Sequence, residues 1–190
     1  MKYITYIVFV LLNSMPDQHL SNERNAAAEL DWCEFRRLTW PDFKAQPDRH
    51  SFFSAVSATY IEEQHGCSED GSFKYTVKAV FVKNESWSAN IQSEDLLAHE
   101  QSHFDLTEYY ARKLRKRFRD LKNPCQVPDE TIRMMLDSLY NELESTHQLY
   151  DQYTLHGLKK ENQAIWNDII AKCLYELNDF ACESETIRQR

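Results

Sequence analysis

Glycine and proline are scarce in this chain, three and five residues out of 190. That scarcity excludes a collagen-like, low-complexity or loop-dominated protein. Positive charge is also short. Lys and Arg number 22 against 30 Asp and Glu, a formal net charge of −8. A nucleic-acid partner is not expected, because phosphate binding needs a basic face. No apolar run reaches the roughly 20 residues of a membrane-crossing helix, so no stable membrane span is expected. No cysteine spacing resembles a zinc ribbon or finger, and no internal repeat is visible.

Apolar residues make up 42%, with 10 Phe, 10 Tyr and 4 Trp, which is enough for a real core in one domain. Lys2 followed by the apolar run Ile4 to Leu12 resembles a secretory signal. The expected layout is a signal peptide over 1–20, a linker or short helix over 21–34, one folded domain over 35–183 and a polar tail over 184–190. Such a signal implies an exported protein, periplasmic or extracellular. The alternative for the apolar run is a buried N-terminal strand. The cysteines are Cys33, Cys67, Cys125, Cys173 and Cys182. Their number is odd, so at least one thiol stays free or pairs between chains. Cys173 and Cys182 on one helix would stand about 13 Å apart along its axis. A disulfide needs Cα atoms within about 7 Å.

Hydrophobic periodicity supplies the elements. Residues 53–62 alternate as a strand does, Gly66 to Gly71 is a turn cluster, and Phe73 to Lys83 is the clearest strand. The two runs suit a hairpin. A helix begins after Ser93, a capping residue followed by Glu94 and Asp95, and runs to about Leu121, before Asn123-Pro124. Its second half carries Arg112, Lys113, Arg115, Lys116, Arg117 and Arg119, read as a solvated face. A second helix spans about Pro128 to Gln152, with Gly157 as terminator, and a third about Lys160 to Phe180. The fold class is α+β, a small antiparallel sheet packed on long helices.

His99-Glu100-Gln101-Ser102-His103 is an HExxH motif inside the first helix. Residues four apart lie almost one above the other. Two imidazoles so placed can converge on one Zn2+ at about 2.0–2.1 Å. Glu100 is turned about 100° from His99 and can act on water instead of ligating. Zinc lowers the pKa of bound water toward about 7, and the carboxylate removes its proton. Leu96, His99, His103, Leu106 and Tyr110 share a stripe, so both histidines are expected to point inward or into a cleft. A catalytic site needs a third protein ligand. His156 is the first choice and Asp151 the next, with Glu142, Glu144 and His147 further up the same helix. His19, His50 and His65 sit in polar stretches and read as exposed.

Four stretches together resemble bacterial domain-of-unknown-function family 922, described as zinc-dependent peptidases of the zincin superfamily. They are Leu38-Thr39-Trp40 with Asp42-Phe43, Ser86-Trp87, Leu97 to Asp105 with Tyr110-Ala111-Arg112, and Tyr150-Asp151, Thr154, His156-Gly157 with Gln163 and Trp166. The resemblance covers about 35–175. Ser102 stands where the family has glycine, at a variable motif position. The resemblance implies a zincin-like metallopeptidase domain, export, and a peptide or protein substrate it does not identify. In zincins a strand upstream of the active helix holds the substrate extended, and Phe73 to Lys83 is the expected one. A Tyr often steadies the oxyanion, here Tyr150 or Tyr153, against simple aromatic packing. Asp105 is expected either to orient a histidine or to pair with the basic helix. Trp40 and Trp166 read as core residues. The expected activity is zinc-dependent peptide hydrolysis with Glu100 as general base. The alternatives are a zinc-containing binding module of the cell envelope that cuts nothing, and hydrolysis of a non-peptide amide.

Overall fold

The computed structural model describes residues 28–181. The proposed signal at 1–20, His19, Cys182 and the tail at 184–190 lie outside the described residues. The elements are β1 (Glu29–Asp31), β2 (Ala55–Val56), β3 (Thr59–Cys67), β4 (Phe73–Val82), β5 (Trp87–Ser88), α1 (Glu94–Asp120), α2 (Asp129–Thr154) and α3 (Lys160–Glu176). The fold is α+β, with a small antiparallel sheet and three helices. No described helix is long and apolar enough to cross a membrane.

β3 and β4 form the expected hairpin, with Thr59 opposite Phe81 and Cys67 opposite Phe73. The period-two face of β4 turns Val77, Ala79 and Phe81 into the core. There they meet Phe104, Ala111, Leu114 and Phe118 of α1, then Ile132, Leu139 and Leu143 of α2. α1 is therefore the central element, packed on the sheet along one side and on helices along the other. A second, smaller core of Leu106, Tyr150 and Ile170 lies where α1, α2 and α3 meet. Ser93 caps α1 as expected, its hydroxyl accepting from the Leu96 N–H at 3.1 Å. The N-terminal segment is pinned to α1 by side chains. Gln101 accepts from the Leu38 N–H at 2.7 Å, and Asp105 accepts from Trp32 Nε1 at 2.8 Å.

The structure corrects several readings. Residues 29–31 are a strand paired with Val80–Val82 where a linker or short helix was expected. The run 53–62 is not one strand. Ala55 and Val56 pair with β5, the backbone N–H of Ala58 donates to Ser86 Oγ, and from Thr59 the chain pairs with β4. β4 lies between β1 and β3, so it is no free edge for a substrate at its Val80–Val82 end. The basic half of α1 is not wholly solvated either. Arg112 and Arg115 are buried with Glu108, because one carboxylate accepts from both guanidiniums at 2.9 Å.

Cys67 and Cys125 form a disulfide across 58 residues, joining the hairpin to the turn after α1. Cys33 and Cys173 are free thiols. Closing so long a loop restricts the unfolded chain, so reduction should destabilise the fold by about 2–4 kcal/mol. Urea unfolding with and without reductant measures this, and coincident midpoints would contradict it.

Candidate metal centre

One turn of α1 carries His99 and His103, with ring centroids 4.9 Å apart. His99 is buried, and Glu100 beside it is 3% exposed. The last two turns of α2 face them. Asp151 Oδ1 lies 3.2 Å from His99 Nε2 and 3.0 Å from His103 Nε2. His156 Nδ1 reaches the same oxygen at 3.4 Å. One ligand atom each from His99, Asp151 and His156 all fall within 4.8 Å of one another. Four donors at about 2.0–2.1 Å around a tetrahedral ion stand roughly 3.3 Å from each other. The contacts about Asp151 have that spacing, and imidazole with carboxylate is a donor set that suits zinc. The residues present fit the ion that the motif implies.

The chain ends α2 in a way that delivers His156. Leu155, His156 and Gly157 all have positive φ, at 49°, 53° and 79°. Such backbone is uncommon outside glycine and persists only where surroundings impose it. Here the His156 N–H donates to the Asp151 carbonyl at 3.1 Å, and the Lys159 N–H to that of Thr154 at 2.8 Å. Gly157 has a second reason to be glycine. A Cβ there would stand 3.0 Å from His99 Cβ and 3.1 Å from Cγ. Gly157→Ala should therefore cost about 1–3 kcal/mol and press on the His99 ring. Thermal unfolding checks this, and an unchanged midpoint would contradict the close contact.

Behind the donors stands a polar layer. His99 Nδ1 is 3.0 Å from Gln163 Oε1, and its ring stacks on Tyr150 at 4.7 Å. His103 Nδ1 is 2.9 Å from His147 Nδ1. Burial works against ionisation of Asp151. Hydrogen bonds from His103, His156 and His99 outweigh it and hold the carboxyl far below the ordinary carboxylate range. Burial likewise disfavours a charged His103, yet Asp151 outweighs it and raises the imidazole above its usual value. Burial and the neighbouring His103 push His147 down to about 3. Asp151 and His103 thus favour each other's charged forms, while the charged form of His147 is disfavoured.

The other expected site residues divide cleanly. Tyr150 is fully buried; its hydroxyl donates to the His99 carbonyl at 3.2 Å and accepts from Gln163 at 2.6 Å. It is a packing and positioning residue, with burial first among the causes that raise its phenol. Tyr153 is exposed. Asp105 does neither expected task. It binds Trp32, Arg37 and Gln101 and so anchors the N-terminal segment. Glu142 pairs with Lys113 and Arg117, away from the donors. Glu144 accepts from Gln148 at 2.6 Å. His50 and His65 are exposed. Trp40 and Trp166 are half-buried, the latter against Tyr150 at 5.4 Å. The site's outer wall holds Phe53, whose ring meets His156 at 4.9 Å. Ser57 donates to the Glu100 carbonyl at 3.4 Å, so the stretch between β2 and β3 passes beside the motif.

The segment from β4 to the left-handed turn after α2 contains every one of these donors. Residues 72–157 match the model of a family described as Bacterial protein of unknown function (DUF922). The match supports the resemblance to family 922 over that stretch. It includes His99, Glu100, His103, His147, Asp151 and His156, and it stops before Gln163. No curated protein and no solved structure matches the chain.

Proposed function

We propose that this chain is a zinc-dependent metallopeptidase with a zincin-like active site. The observation that carries the reading is the convergence of His99, His103 and His156 on Asp151 Oδ1, with a buried carboxylate, Glu100, next along the helix. The helix histidines are two of the zinc ligands. For the third, Asp151 and His156 both stand with His99 in one donor group, and contact with both Nε2 atoms favours Asp151. A bound zinc would supply Lewis acidity, acidifying water and polarising a carbonyl. Glu100 takes the proton from the attacking water and passes it to the leaving nitrogen. The stretch from Ala55 to Thr59, not β4, lies alongside an extended substrate, because Ser57 and Thr59 are the groups that touch α1 there. The Cys67–Cys125 disulfide supports an oxidising compartment, hence export.

The reading is tested by incubating the purified chain with a peptide library. Cleavage that stops on chelation and returns with added zinc is the expected result. Retained zinc with no peptide cut favours the envelope binding module, and cutting confined to cell-wall amides favours a non-peptide substrate. Ligand variants resolve the third position. Asp151→Ala should lose zinc at concentrations where His156→Ala keeps most of it, by metal analysis of the dialysed proteins. The reverse order would make His156 the third ligand.

A further inference from the structure

We infer that Gln163, from the first turn of α3, is a positioning residue that sets the tautomer of His99. The inference rests on the zinc reading only for its purpose; its geometry stands without the ion. Hydrogen-bond direction decides it. The backbone carbonyl of His99 can only accept, so the Tyr150 hydroxyl, 3.2 Å away, donates its one proton there. That hydroxyl must then accept from Gln163, whose amide nitrogen stands 2.6 Å away. The same nitrogen donates to Asn167 Oδ1 at 2.8 Å. Both amide protons of Gln163 are thereby used. Its remaining polar atom, Oε1, can only accept, and it faces His99 Nδ1 at 3.0 Å. His99 must therefore carry its proton on Nδ1. The lone pair is left on Nε2, the nitrogen that points at Asp151 and at the donor cluster.

Gln163 is buried, and so are His99 and Tyr150. Water is thus poorly placed to replace the amide as acceptor. An imidazole in the other tautomer would present an N–H to the cluster and leave Gln163 Oε1 without a donor. Gln163 touches no reacting atom and acts only through His99.

Two measurements on the full chain test this. Nitrogen NMR of the metal-free wild-type protein, at a pH where His99 is neutral, should show the Nδ1–H form. A dominant Nε2–H form overturns the inference. Zinc affinity is then compared by chelator competition. Gln163→Leu should bind about 10–100-fold more weakly than wild type. Gln163→Glu keeps an acceptor facing Nδ1 and should fall within about threefold of wild type. Equal affinity for wild type and Gln163→Leu overturns the inference, as does an equal loss in both variants. If Gln163→Leu fails to fold, the wild-type spectrum decides. A wild-type chain that binds no zinc but shows the Nδ1–H form sinks the metallopeptidase reading and leaves the tautomer assignment intact.

Discussion

Glu100→Gln should keep its zinc and hydrolyse peptides about 10²–10⁴-fold more slowly. Glutamine matches glutamate in shape, so the buried site can hold it without repacking. It can neither take a proton from water nor pass one to the leaving nitrogen, and those are the two tasks proposed for this side chain. Glu100 is also not one of the three imidazoles that meet at Asp151 Oδ1, so metal content should not follow it. Its charge nevertheless reaches the cluster, where it helps to raise His103. The expected loss falls on kcat, because the proton moves in the chemical step and not on substrate binding. A variant that cuts as fast as wild type removes Glu100 from the mechanism. A variant that loses zinc makes Glu100 part of the metal site instead.

Glu108→Ala should unfold far more readily than wild type, by about 3–5 kcal/mol. Glu108 is 1% exposed and accepts from Arg112 Nε and from both terminal nitrogens of Arg115. The two guanidiniums also bind backbone carbonyls of other elements. Arg112 donates to Leu174 at 2.7 Å, and Arg115 donates to Val77 and to Phe180, the latter at 2.8 Å. One carboxylate therefore holds α1 to β4, to α3 and to the turn after it. Its removal leaves two buried positive charges without their counter-ion, which costs far more than a surface pair would. Denaturant titration reads the difference directly. A change under about 1 kcal/mol would mean that the backbone carbonyls alone suffice.

These two sites differ in how far they could be read in advance. The motif histidines and Glu100 were legible because helical spacing alone brings i and i+4 together. The hairpin and the cap at Ser93 were legible for the same local reason. The interior burial of Arg112 and Arg115 was not, since charged residues on a helix usually face water and only three-dimensional packing brings Val77 and Phe180 to them. β1 was hidden because Glu29-Leu30-Asp31 has a single apolar residue; its strand state comes from distant Val80–Val82. The Cys67–Cys125 pair depends on where the hairpin end meets the turn after α1. His156 and Asp151 were both visible as donors, yet their ranking needed distances. Gln163 carried no signal of its own beyond its place in the family-like block, because a buried amide has no motif.

The most direct measurement is the zinc content of the purified chain beside His99→Ala and His103→Ala after dialysis against a weak chelator. One zinc per wild-type chain, and essentially none in either variant, is the expected result. A wild-type chain without zinc, or variants that keep it in full, would contradict the shared metal site on α1.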